Sequence, residues 1–319
     1  MIRRSQSIGV PYFHVAPSSA RIMWSVIAAL LPGIAVQIYL EGSRWLGLLG
    51  IALMSAWLLE GSLLALRGRT GKQILFALKD GSAMLTTLLL ALCLPILVPA
   101  WLVILGCAFA LICGKHVYGG LGMNPFNPAM VGYCFLLVSF PAIMGQHSAE
   151  SLDFFSLFNS VDARTAATLL DSSRQARIVD TAVSQISATY LPSLMQAAAW
   201  SLGGIWLAWK KYLDWKISAA VLISAFITAG LFWLYDSHAY LNPLQQLFSG
   251  ALIFGAFFIA TDPITAATTP LGRLLYALLI GILCIAIRNL GNFPDGFAFA
   301  VLLANAAVAI LDNLSPKYR

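Results

Sequence analysis

Residues 114–133 read GKHVYGGLGMNPFNPAMVGY and sit between two long apolar runs. The stretch holds five glycines, two prolines, Asn124, Asn127 and His116. Gly and Pro free backbone groups from a helix ladder, and lipid offers those groups no hydrogen-bond partner. Such a segment persists at membrane depth only where it is buried in protein or lines a cavity. It therefore predicts a helical membrane protein with broken helices, whose working parts lie at the breaks.

The rest of the chain agrees. Of 319 residues, 60% are hydrophobic and 10% charged, with a mean hydropathy of +0.83; a soluble domain carries about 25% charged residues. A spanning helix needs about 20 apolar residues. Candidate spans fall at 23–40, 46–66, 83–98, 100–113, 128–144, 194–209, 217–234, 247–260, 274–287 and 297–311. The expected fold is thus an all-α polytopic membrane protein with about ten transmembrane helices, several short and interrupted by Gly or Pro. Short, interrupted spans are the mark of broken or re-entrant helices around a midplane site. The nine Trp and ten Tyr suit interfacial belts.

The net charge of +6 is a topology signal rather than a nucleic-acid footprint, since no basic run is interleaved with aromatics. With the N-terminus inside, Arg3, Arg4, Arg67, Arg69, Lys72, Lys79, Lys210, Lys211, Arg273, Lys317 and Arg319 fall in cytoplasmic segments. Arg44, Arg164, Arg174, Arg177 and Arg288 fall outside. This bias places both termini in the cytoplasm. The polar first twenty residues carry no cleavable signal peptide. The expected organisation is an N-terminal segment 1–22, a first five-helix repeat 23–144, an outer loop 145–193 and a second five-helix repeat 194–319.

An internal repeat is visible. GSAMLTTLLLALCLP from Gly81 matches SGALIFGAFFIATDP from Ser249, and LGMNPFNPAMVGYCFLL from Leu121 matches LGNFPDGFAFAVLLANA from Leu290 at nearly the same offset. Each half reads as a small-residue half-helix, a Pro break, a span, a Gly/Asn/Pro loop and a final span. Five spans per half give the two repeats opposite topology. The two loops, 119–128 and 289–296, are expected to meet near the pseudo-symmetry axis as a cofactor pocket or an ion constriction.

Several side chains in these segments are candidates for function. Backbone amides of the loops, with Asn124, Asn127 and Asn292, suit a polar ring or an anion; the alternative is tight turns, with Pro128 starting a helix. Asp262 in TDPITAATT is a candidate to orient a cofactor or to lie on an ion path, and equally a helix cap ahead of Pro263; Asp295 in NFPDG is a further candidate for cofactor binding. Asp80 in KDGS either lies on an ion path or caps the following helix. Glu60 is the acid deep within an apolar run, a candidate for an ion path; the alternative is pairing near the Arg67 end. The five cysteines lie in apolar runs without metal spacing, which reads as buried hydrophobes; the other reading is a thiolate lent to a cluster shared with another subunit. No nucleophile–base set or metal set is present in the pattern.

KDGSAMLTTLLLALCLP, YGGLGMNPFNPAMVGY, GAFFIATDPITAATT and NFPDGFAFAVLLANA, in this order with PYFH and SARIM near the start, resemble the RnfD family of the Rnf (Rsx) electron-transport complex. They are similar, more distantly, to the NqrB component of the sodium-pumping NADH:quinone reductase. The resemblance implies an inner-membrane helical fold with inverted repeats, inside a six-subunit complex. That complex passes electrons between ferredoxin and NAD, coupled to sodium or proton movement, or keeps a redox-sensing regulator reduced. It further implies FMN joined through its phosphate to a threonine of a Ser-x-Ala-Thr motif, by a flavin transferase, in the periplasmic loop after the fifth span. Thr189 in SATY occupies that threonine's place, with Ile186 at the motif's serine position and Ser187 beside it. A second, non-covalent flavin is compatible with the family. The rival readings from other classes are a channel or transporter for a small polar solute and a structural scaffold for partner subunits.

Overall fold

The computed structural model describes residues 18–120, 122–146, 151–157, 168–178, 190–291, 293 and 295–314. Among them every regular element is a helix. In chain order these are α1 (Ser19–Glu41), α2 (Arg44–Leu66), α3 (Gly71–Leu78), α4 (Ser82–Cys93), α5 (Ala100–Leu111, prolonged by a π-turn, Ile112–His116), α6 (Pro128–Ser139) and α7 (Pro141–Met144). A 3₁₀ turn (Phe154–Leu157) and α8 (Leu169–Ile178) belong to the long loop. Then follow α9 (Tyr190–Trp209), α10 (Trp215–Tyr235), α11 (Pro243–Phe248), α12 (Leu252–Phe258), α13 (Pro270–Leu290) and α14 (Phe297–Asn313).

Among the described residues, four helices (α1, α2, α10 and α13) are long and apolar enough to cross a bilayer, and α3 with α4, bent by 46°, makes a fifth. The fifth, tenth and one of the middle runs form shorter apolar helices, α6, α14 and α5. The starts of several helices are written in the sequence. Asn127 caps α6, accepting from Met130 N at 3.3 Å, with Pro128 in the first turn. Thr269 does the same for α13 ahead of Pro270. Asn242 and Gln245 bond reciprocally ahead of α11.

The elements run twice through one order: two long helices, two short ones, a break, a helix, a loop and a helix. α1–α6 form the first series and α9–α14 the second. The packing repeats too. α2 packs on α3, α4 and α5, and α10 on α11, α12 and α13; α5 packs on α6, and α13 on α14. The series join where α1 lies along α9 and α6 meets α14. The α1–α9 seam is close: a Cβ on Gly203 would strike the backbone of Ala29, and one on Gly33 the Trp200 ring.

Let the near face be the end where α1 begins and the far face the end where it finishes. At the far face, Leu152 N donates to Glu41 O at 2.8 Å and Arg44 N to Leu152 O at 3.1 Å, so the long loop starts there. At the near face, the end of α5 returns to the end of α2, where Arg67 donates to the carbonyl of His116.

The breaks satisfy their freed backbone groups internally, as lipid requires. After α4 ends at Cys93, the buried guanidinium of Arg44 donates Nε to Ile96 O (2.8 Å) and Nη2 to Val98 O (3.4 Å). After α12, Asp262 accepts from Ile264 N (3.2 Å) and Thr265 Oγ1 (3.0 Å), and Asn305 Nδ2 donates to Thr265 O (3.1 Å). Asp312 accepts from the amides and hydroxyls of Thr268 and Thr269, tying the end of α14 to the start of α13.

Candidate functional sites at the two faces

Part of the stretch 114–133 is buried and lines a cavity, while Val117, Tyr118 and Met123 are exposed. Asn127 donates its amide to Asn305 Oδ1 (3.1 Å) and its Nδ2 to Asp262 Oδ2 (3.5 Å). Asn124 is buried, donates to Phe126 O (3.1 Å) and leaves Oδ1 without a partner among the described residues. Asn124, Asn127 and Asp262, with Lys115 and Thr261, line a near-face cavity of about 70 Å³. That is room for a few waters or an ion rather than a flavin, since pockets for ligands of that size run to about 300–1,000 Å³.

Among the described residues, the two Gly/Asn/Pro loops do not meet. Asp295 lies at the far face, where it pairs with Arg288 (Nε–Oδ1 2.9 Å, Nη2–Oδ2 3.0 Å) and accepts from Ala251 N (2.7 Å) and Phe297 N (3.1 Å). Each loop faces the break of the other half instead. The loop at Asn127 meets the Asp262 break, and Asp295 lines a cavity with Cys93, Leu94 and Pro95 of the first break. The reason is chain direction: α5 ends at the near face and α13 at the far face, so the loops that follow them are separated by the thickness of the bundle. Asn292 lies outside the described residues.

The far cavity measures about 460 Å³. Trp45, Tyr133, Trp200, Phe254 and Phe297 give it aromatic walls. Gln196 Oε1 and Ser249 Oγ, both on its lining, are buried without partners among the described residues. Gly250 bends the chain at φ +64°, and a Cβ there would sit 2.7 Å from the Arg288 guanidinium. α8 closes one side: Thr168 and Leu170 line the cavity, Arg174 donates to Phe293 O, and Arg177 reaches Asn289 Oδ1 at 3.4 Å. Pro192 and Ser193, in the first turn of α9, line it as well. Thr189 itself, immediately before that helix, lies outside the described residues.

Glu60 is buried on α2, but its partner is not Arg67. Lys115 Nζ lies 2.9 Å from Oε1 and His116 Nε2 2.8 Å from Oε2, each side chain about 5% exposed or less. Lys115 Nζ also reaches Ser82 Oγ at 2.9 Å. Asp80 takes the capping role, accepting from Ser82 N and Ser82 Oγ at 2.7 Å each. The carboxylate is legible in the sequence as an acid in an apolar run. Its partners stand 55 and 56 positions away, and the signal for them is a Lys-His pair closing the apolar run at 100–113. Arg44, Arg288 and Asn305 escape the sequence reading as bonding centres; each is a polar residue inside or beside an apolar run, the same signal that marks Glu60.

A sequence model described as the NQR2, RnfD, RnfE family matches residues 7–318. The chain is 40% identical over 334 residues to the D component of the "Ion-translocating oxidoreductase complex" of Klebsiella pneumoniae (strain 342), covering 95% of each chain. It is 41% identical over 335 residues to the protein of that name from Citrobacter koseri (strain ATCC BAA-895 / CDC 4225-83 / SGSC4696), again covering 95% of each. With the Escherichia coli O157:H7 protein of the same name the identity is 40% over 334 residues, covering 95% of this chain and 94% of the relative.

Proposed function

We propose that this chain, which belongs to the NQR2, RnfD, RnfE family, is the flavin-carrying, membrane-embedded electron-transfer subunit of an ion-translocating oxidoreductase complex. The observation that carries the reading is the far cavity, which has cofactor size and reaches the first turn of α9, immediately after Thr189. FMN esterified to the Thr189 hydroxyl would enter from that side. The aromatic walls suit a planar ring. Gln196 Oε1 and Ser249 Oγ are buried polar atoms in want of partners, and a ring with polar edges supplies them. Once bound, a flavin supplies the redox chemistry, moving between one- and two-electron steps. The protein's share is position and shielding: Trp45 and Trp200 wall the ring site, α8 covers it, and Arg288 holds Asp295 at its rim.

The doubled element order supports ten crossings in two inverted five-helix repeats. Exposed Lys72, Lys79, Lys210 and Lys211 at the near face support a cytoplasmic near face and a periplasmic flavin loop in the bacterial inner membrane. Two of the far-face cations, Arg44 and Arg288, are instead buried on carbonyls and on Asp295. The remaining subunits of the complex supply the other electron carriers, and a flavin transferase attaches the FMN. The near-face polar groups are where cation movement, of sodium or protons, would be coupled to electron transfer.

The test is covalent flavin. Denatured protein from cells with the matching transferase should fluoresce on a gel, and mass spectrometry of the peptide spanning 180–193 should place FMN on Thr189. Thr189→Val should abolish both signals. A dark band from the native complex overturns the reading.

A further inference from the structure

Two basic side chains, Lys115 and His116, converge on the buried Glu60 carboxylate at the near face, and this is a costly arrangement for mere stability. A buried ion pair roughly breaks even against apolar packing. A second basic group on the same carboxylate adds desolvation without a second negative charge. Hydrogen placement explains its form. The Lys115 ammonium donates to Glu60 Oε1, and His116 Nε2, 2.8 Å from Oε2, must carry a hydrogen to bond a carboxylate. That leaves Nδ1 of a neutral imidazole as a buried lone pair with no donor among the described residues.

We propose that Glu60, Lys115 and His116 form a proton-loading site at the near face, with His116 as the group that takes the proton, and that this site excludes alkali cations. Imidazole is the side chain whose charge changes near neutral pH. One proton added at Nδ1 takes the cluster from net zero to one positive charge, stabilised by Glu60 through the bond already present at Nε2; nothing is oxidised or reduced. A hard cation such as Na⁺ needs a shell of oxygen ligands. Here both Glu60 oxygens face nitrogen donors, and the Lys115 ammonium stands where a cation would bind. The other charged groups are few. Arg67, the residue after α2, lies on the carbonyls of His116 and Gly119. Asp80 acts through Ser82, and Asp262 lines the cavity that Lys115 enters.

The site's role in translocation rests on the proposed function, but its chemistry needs no flavin, and the test uses that difference. Hydrogen–deuterium exchange at the imidazole C2 position, read by mass spectrometry on the His116 peptide of the purified complex across pH 5 to 9, gives a titration midpoint. In wild type the exchange rate at His116 should change with pH. Glu60→Gln removes the negative partner and should lower the midpoint by about one unit or more. Lys115→Met removes a positive neighbour and should raise it by a similar amount. Exchanging sodium for choline at constant ionic strength should leave the midpoint in place. A flat profile, a midpoint indifferent to both variants, or one that moves with sodium overturns the proposal. Loss of gel fluorescence in the wild type would sink the flavin reading and leave this titration as it stands; a flat titration with fluorescence intact sinks this inference alone.

Discussion

Asn305 shows how much of this protein hangs on single side chains. From α14 it accepts from Asn127 N (3.1 Å) and donates to Thr265 O (3.1 Å) and Tyr276 Oη (3.0 Å), all buried. It thereby fixes the first-half loop, the second-half break and α13 to one point. Asn305→Leu would strand an amide, a carbonyl and a hydroxyl in a low-dielectric interior, at about 1–3 kcal/mol for each group left unpaired. The expected outcome is a fall in detergent-solubilised stability of several kcal/mol, read by thermal unfolding, with Asn305→Asp falling between Leu and wild type. The residue scale is also where the sequence is least legible. It marks Asn127 and Asp262 by their Gly/Pro-rich surroundings, and Glu60 as an acid among apolar neighbours. It does not bring Asn305 to them, because a polar residue in a span says that a partner exists without saying which one.

At the scale of elements, the breaks are legible and their supports are not. Pro95 and Pro263, each closing a repeat of small and apolar residues, announce two interrupted helices. That Arg44, at the far start of α2, satisfies the carbonyls of the first break depends on the tertiary fold. Arg44 is the test of that reading. Arg44→Met would leave the carbonyls of Ile96 and Val98 buried and unpaired, at about 2–5 kcal/mol in total. Arg44→Lys keeps the charge but lacks the planar fork that serves two acceptors together, so it should recover only part of the loss. Thermal stability of the two variants should rank Met below Lys below wild type; equal values would mean that the guanidinium does not hold the break. The α1–α9 seam gives a second element-scale expectation. Gly203→Leu puts a side chain where Ala29 backbone lies, and overpacking of this kind costs about 1–3 kcal/mol or more. It should lower the unfolding temperature, whereas Gly230→Leu, with Pro243 at ordinary van der Waals distance, should leave it nearly unchanged.

For the whole molecule, the doubled order of elements makes a claim that neither half makes alone. The near face carries a basic residue after α5, Lys115, paired to an acid and placed at the start of α4 through Ser82. The far face carries a basic residue at the end of α13, Arg288, paired to Asp295, which accepts from Ala251 N at the start of α12. Two corresponding ion pairs thus guard two corresponding half-helices, one at each face. If the repeats are inverted across the membrane, the two loops that follow these helices must open to opposite compartments. Met123 and Phe293 report on them, since both are exposed and each sits in one of the loops. In a background with the five native cysteines replaced, Phe293→Cys should react with a membrane-impermeant maleimide in cells with a permeabilised outer membrane. Met123→Cys should react only after the inner membrane is opened. Asp236→Cys, at the far end of α10, should behave as Phe293→Cys does, and Lys211→Cys, past the near end of α9, as Met123→Cys does. Labelling of both loops from one side would refute the inverted arrangement, and with it the proposal that the far cavity and the Glu60 cluster lie on opposite sides of the membrane.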